Sequence, residues 1–158
     1  MGLSRLKSKK AEPIYDPIRK KWVESTPEEE IRQHLVRHMI AMLGYPPLWM
    51  AIEKELAQLP SLQLKPAQEI AKRRADILVF APHTHSPLLM IECKALPLTE
   101  AFTQQVIGYN TFVQAPFVAL ANGKEVLTGH YSAEKGRYCF EKGLPHFVSL
   151  KTIVQGQW

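Results

Sequence analysis

The chain lacks most of the features that mark a secreted, membrane-spanning or zinc-held protein. Its 158 residues include only two cysteines, Cys93 and Cys139. Each falls inside a predicted strand, so they fit neither a zinc spacing nor a disulfide framework, and a reducing, cytoplasmic setting is expected. No apolar run approaches the roughly 20 residues that cross a bilayer. The basic stretch "MGLSRLKSKK" has no apolar segment behind it and does not read as a secretory leader. Leu6 stands where a myristoylation pattern needs Ser or Thr. No G-x-x-x-x-G-K-[ST] loop is present to cradle a nucleotide, and there is no serine nucleophile elbow. His34 and His38 share a helix face, but H-x-x-x-H lacks the glutamate of a zincin.

What is present suits one compact domain. Hydrophobic residues make up 46% of the chain, enough for a sizeable core. The net charge is +5, which fits nucleic acid as a partner and fits a solubilising surface equally. The positive charge clusters at Arg5, Lys7, Lys9 and Lys10, again at Arg19–Lys20–Lys21, and at Lys72–Arg73–Arg74. Residues 1–15 read as a basic, flexible tail and residues 16–158 as a single domain.

Thr26 suits a helix N-cap, Pro27 the first helical position, and Glu29 the reciprocal position of a capping box. Ile31, Leu35, Met39 and Met42 or Leu43 continue a helical stripe that Gly44 ends. A strand is predicted from Leu48. Two apolar runs around "PHTHS" form a hairpin. A second helix starts at Thr99, with Phe102, Val106, Tyr109 and Val113 on one face. "APFVALANG" is a short buried strand, and "EVLTGHYSAEKGRYCFEK" a final exposed pair. The resulting fold class is α/β, a mixed sheet flanked by helices with an α-β-β-β-α-β core and a C-terminal β-hairpin.

The hairpin "RRADILVFAPHTHSPLLMIECK" carries charges inside its apolar runs, where an unpaired carboxylate costs several kcal/mol or more. A turn centred on Thr84 sets Ala81 opposite Pro87, Phe80 opposite Leu88 and Asp76 opposite Glu92. Opposed side chains share a face about 5 Å apart, and Lys94, two residues past Glu92, shares it too. Two adjacent carboxylates repel unless a cation intervenes. Mg²⁺ takes one or two carboxylates plus waters and phosphate oxygens, and a neighbouring lysine can orient or activate water. The plain alternative is a structural ion pair at the sheet end. Glu92-Cys93-Lys94 is nevertheless the only acidic-x-Lys triplet in the chain, among 13 lysines.

Asp76 followed by Glu92-x-Lys94 on the next strand resembles the PD-(D/E)xK nuclease superfamily. The ordered series "DPIRKKWVESTPEEEIRQHLV", "GYP", "IEKEL", "KRRADILVF", "PLLMIECKA", "QQVIGYN" and "LANG" is similar to the N-terminal nuclease domain of type I restriction enzyme R subunits, in its short stand-alone form, over Asp16 to Tyr138. The resemblance implies a Mg²⁺-dependent DNA endonuclease, with Mn²⁺ as a substitute metal. Asp76, Glu92 and the Cys93 backbone carbonyl would bind the metal, and Lys94 would assist the attacking water. Gln105 and Tyr109 match a Gln-x-x-x-Tyr motif on the following helix. An additional glutamate ligand would be Glu28, Glu29 or Glu30 of the first helix, or Glu53 of the first strand. Arg32, Arg73 and Arg74 are expected to hold DNA, and Gln33 lies within the same reach. Ala75 replaces the motif's proline and leaves the acid in place. With no nucleotide loop in these residues, translocation would need a separate motor, and other restriction or repair subunits are expected partners. Two rivals remain: a non-catalytic module of the same fold that binds nucleic acid or a partner, and a repair or junction-resolving nuclease, which predicts a symmetric dimer.

Overall fold

The structure is a computed structural model, and it describes residues 10–59 and 74–155. The chain opens with a two-stranded antiparallel hairpin, β1 (Ile14–Asp16) and β2 (Lys21–Val23). Helix α1 (Pro27–Met42) begins as its sequence dictates: the Thr26 hydroxyl accepts from the Glu29 N–H at 3.2 Å, with Pro27 at the first position. The reciprocal half of the capping box does not form. Glu29 turns its carboxylate to Arg19, Arg32 and Gln33, because those donors are fully charged or buried and outcompete a backbone N–H. At the other end Gly44 takes φ +72, and the Leu43 and Tyr45 N–H groups both bond back to the Met39 carbonyl.

Six strands then form one mixed sheet: β3 (Met50–Glu55), β4 (Arg74–Phe80), β5 (Pro87–Cys93), β6 (Phe117–Ala121), β7 (Val126–Ser132) and β8 (Arg137–Lys142). They lie side by side in chain order, and every pairing is antiparallel except β5 with β6. That parallel pair needs a crossover, which α2 (Glu100–Val113) supplies. β5 and β6 occupy the middle of the sheet, and every residue of β6 is buried. Strands covered on both faces read as continuous apolar runs, as both do in sequence.

One face carries the side chains Ile77, Val79, Ile91 and Cys93 against Leu35, Val36 and Met39 of α1. The same cluster takes Phe147 and Leu150 of α3 (Phe147–Gln155). The opposite face packs Leu78, Met90, Val118 and Leu120 against Val106 and Val113 of α2. Each fully buried side chain of this size stabilises by roughly 1.5–3 kcal/mol. The α-β-β-β-α-β core and the last hairpin stand as the sequence implies, while β1–β2 and α3 are additions. β1 takes in Ile14 and Tyr15, the last two residues of the stretch that reads as a tail. α3 is nine residues long, below the length at which periodicity separates a helix from a loop.

The first strand is shorter than expected, since Pro47–Trp49 form a 3₁₀ turn ahead of β3. The central hairpin keeps the predicted register at Ile77 with Ile91, Leu78 with Met90 and Val79 with Leu89. Nearer the turn it slips. Phe80 pairs with Pro87, not Leu88, through an irregularity between Val79 and Phe80. The slip belongs to a loop closed by the Ala81 N–H on the Ser86 carbonyl, with His85 at φ +57. The expected register holds from Val79–Leu89 to Ile77–Ile91, and Asp76 and Glu92 lie just beyond that last pair.

Candidate active site

At that far end β4, β5 and β3 meet α1 and the N-terminal hairpin. Asp76 sits one residue before the Ile77–Ile91 pair, and its Oδ2 accepts the Cys93 N–H at 2.8 Å. Its Oδ1 accepts from Arg32 Nη2 at 2.6 Å. In β3 the pairs Ile52–Ile77 and Lys54–Ala75 flank Glu53, whose backbone is left-handed at φ +51. A non-glycine residue in that region costs about 1–3 kcal/mol. The ion pairs of the Glu53 carboxylate offset this cost: Oε2 lies 3.1 Å from Arg19 Nη1 and Oε1 lies 3.3 Å from Arg32 Nη1.

Arg19 and Arg32 tie the surrounding acids together. Arg19 sits in the β1–β2 turn, where its Nε bonds the Asp16 carboxylate and its Nη2 reaches Glu29 at 2.7 Å. Asp16 is fully buried. Burial alone pushes its carboxyl up, but the Arg19 main-chain N–H, the Arg19 guanidinium and the Ile18 N–H more than offset this and hold it below the usual aspartate range. Arg32, one turn along α1 from Glu29, binds Glu29 Oε2 as well as Asp76. Burial acts to lower its pKa, but the Asp76 charge, then Glu29 and Glu53, raise it on balance. Arg32 is therefore no surface group for DNA. It is 4% exposed, and both terminal nitrogens are bound to carboxylates. Gln33 is buried too, donating to Glu29 at 2.9 Å. Arg74 is exposed and pairs with Glu55 at 3.0 Å, and Arg73 lies outside the described residues.

Glu92 is 6% exposed, and its Oε1 has no hydrogen-bond partner among the described residues. Burial, then the adjacent Asp76 charge, pushes its carboxyl up to about 9, with Lys94 acting weakly the other way. Lys94 leaves the sheet directly after β5. Its N–H bonds the Ala121 carbonyl at 2.8 Å, and its ammonium lies 5.0 Å from the ring centre of Phe102 on α2. That contact stabilises a charge on the α2 side of the site. Also on α2, Gln105 Nε2 donates to the Tyr109 hydroxyl at 3.1 Å. The Cys93 thiol is pushed well above its usual range by burial first and by Asp76 next, which rules it out as a nucleophile at neutral pH.

The structure thus brings Asp76, Glu92 and Lys94 to one end of the sheet. Among the described residues no three His, Cys, Asp or Glu side chains form a ready metal cage. The donor set that does fit a cation is hard oxygen: the Asp76 and Glu92 carboxyls and the Cys93 carbonyl, with the orphaned Glu92 Oε1 waiting for a partner. Two carboxylates completed by waters and a ligand phosphate are how Mg²⁺ is held. Glu29 and Glu53 are engaged by arginines, and Asp76 is engaged likewise by Arg32 and the Cys93 N–H, so a cation on Asp76 would displace a partner that is already there. Asp16 and Arg19 are the site-forming residues that sequence reasoning passed over. Their one signal is the Asp-Pro dipeptide, a turn initiator.

The family model for the type I restriction enzyme R protein N terminus (HSDR_N) matches residues 27–145. The chain belongs to this family. No curated protein and no solved structure matches it. Membership of the R protein N-terminal family supports a restriction-nuclease-like role and, at that level, interaction with DNA. The match spans α1 through most of the loop before α3 and includes Asp76, Glu92, Lys94, Gln105 and Tyr109. The β1–β2 hairpin, with Asp16 and Arg19, lies before it. Among the described residues no helix is long and apolar enough to cross a membrane.

Proposed function

We propose that this chain is a Mg²⁺-dependent endonuclease that hydrolyses DNA phosphodiester bonds, working beside a motor carried elsewhere. The observation that carries the reading is the buried Glu92 carboxyl beside Asp76, its Oε1 without a hydrogen-bond partner among the described residues, with Lys94 two residues on, in a chain of the restriction R protein family. Asp76, Glu92 and the Cys93 carbonyl would hold Mg²⁺, which supplies a Lewis acid for the scissile phosphate and acidifies a bound water. Lys94 would orient the attacking water and place positive charge beside the phosphate oxygens as negative charge builds on them. The aromatic face of Phe102 restricts where the Lys94 ammonium sits. The Gln105–Tyr109 pair presents an amide and a hydroxyl from α2, both able to bond a phosphate or a base edge. The exposed Lys20 and Lys21, beside Arg19, supply positive charge for the backbone.

The reading is tested by cleavage of linear, circular and branched DNA with Mg²⁺, comparing wild type with Asp76→Ala and Lys94→Ala. Wild type should cut and both variants should fall by at least about a hundredfold, the scale of losing a key charge-stabilising group. Equal cutting by all three proteins rejects the assignment. Binding without cutting by wild type identifies a non-catalytic module, and preference for branched DNA by a stable dimer identifies a junction-resolving enzyme.

A further inference from the structure

Arg32 stands where a cation bound to Asp76 would stand. Its Nη2 holds Asp76 Oδ1 at 2.6 Å, while Nη1 spans Glu29 and Glu53. The guanidinium is nearly fully buried, yet its Nε has no acceptor among the described residues. An unsatisfied buried donor costs about 1–3 kcal/mol, so Arg32 is held by the acids around it and not by a complete set of hydrogen bonds. Those acids are in excess. Asp16, Glu29, Glu53 and Asp76 face only two guanidiniums, with Glu92 beside them. Four carboxylates against two arginines leave room for a further divalent charge. Arg32 also has somewhere to go: releasing Asp76 breaks one of its contacts and keeps those to Glu29 and Glu53. A divalent cation and a guanidinium on the same carboxylate oxygen repel each other, so they are alternative partners for Oδ1.

We propose that Arg32 is a resident counter-cation that closes Asp76 in the metal-free protein and retreats onto Glu29 and Glu53 when a divalent metal binds. The inference rests on the metal-site reading above and adds a competitor to it. The bound metal displaces a positive charge that is part of the fold, so its apparent affinity is set partly by Arg32. The same exchange couples metal binding to the contact between α1 and the N-terminal hairpin, since Glu29 and Glu53 also hold Arg19.

The test is calorimetric titration of Mg²⁺ and of Mn²⁺ into wild type, Arg32→Gln, Arg32→Lys and Asp76→Asn, without DNA. Arg32→Gln should bind metal about tenfold more tightly than wild type, within the ordinary range of coupling between two ligands. Arg32→Lys should fall between them, and Asp76→Asn should bind weakly or not at all. Because Arg32→Gln leaves acids unpaired and is at risk of not folding, a second measurement uses wild type alone. The side-chain Nε–H resonance of Arg32 should shift in proportion to metal occupancy. Metal binding by wild type with an unmoved Arg32 resonance, or with no tightening in a folded Arg32→Gln, overturns this proposal and leaves the metal site standing. No binding by wild type at millimolar metal, indistinguishable from Asp76→Asn, removes the metal site and this proposal with it.

Discussion

At the residue scale the behaviour of the site turns on Glu92. Burial and Asp76 raise its carboxyl from an ordinary 4.5 to about 9, so the metal-free protein keeps it neutral at pH 7. A folded-state value above the unfolded one means the folded form binds the extra proton. The stability that belongs to the neutral carboxyl is complete below pH 4.5 and is lost as pH rises through about 9. Glu92→Gln, which mimics the neutral form, should therefore make the metal-free protein more stable at pH 8 by at least about 1 kcal/mol. Denaturation with EDTA at pH 5 and pH 8 checks this, and the difference between variant and wild type should shrink at pH 5. Metal needs the ionised form, so wild-type Mg²⁺ affinity should rise with pH over the same window. That Asp76 and Glu92 lie side by side was legible because a hairpin between consecutive strands is local and its register holds as far as Ile77–Ile91. Arg32 was not legible as a buried ion. Its partners Asp76 and Glu53 lie 44 and 21 positions away in sequence, and nothing in a Glu-x-x-Arg helix turn distinguishes a solvated pair from a buried one.

At the element scale the N-terminal hairpin is held to α1 largely by charge. Asp16 accepts the Ile18 and Arg19 N–H groups at 2.8 and 2.9 Å and pairs with the Arg19 guanidinium. Its carboxyl is held below 3.8, so the stability it contributes is present above that value and is lost as pH falls through its lower folded value. Asp16→Asn should cost about 2–3 kcal/mol, the scale of losing hydrogen bonds to a charged group. Hydrogen exchange should speed up across Ile14–Val23 and leave α2 unchanged, and acid strong enough to protonate Asp16, well below its ordinary 3.8, should open the wild-type hairpin in the same way. Equal exchange in Asp16→Asn and wild type would show that apolar packing alone docks the hairpin. The hairpin itself does not show in the sequence, because three-residue strands are too short to show alternation.

At the scale of the whole molecule, one sheet face is shared by the first and last helices. Leu150 of α3 is fully buried in the cluster that seats Leu35, Val36 and Met39 of α1. The Phe147 N–H bonds the Leu43 carbonyl at 2.9 Å, and the Tyr45 hydroxyl bonds the Pro145 carbonyl at 2.7 Å, so the two helix ends are joined directly. Leu150→Ala should cost about 2–5 kcal/mol, and thermal unfolding should fall by roughly 5–15 °C for a domain of this size. A shift of a degree or less would mean that α3 is peripheral to the core. An open groove of about 1290 Å³ runs between α1 and the loops after β5, β6 and β8, and neither Asp76, Glu92 nor Lys94 lines it.

The sequence by itself determined the core of the fold and the placement of the acidic triplet. Apolar periodicity, caps and turn residues act over a few residues, and the hairpin that carries Asp76 and Glu92 closes locally. Only the tertiary structure decided how the charges are neutralised. Arg19, Arg32, Glu29 and Glu53 meet because a hairpin, a helix and a strand with a left-handed residue converge on one sheet end. The energy of each pair depends on burial and distance, and neither quantity is written in the spacing of residues along the chain.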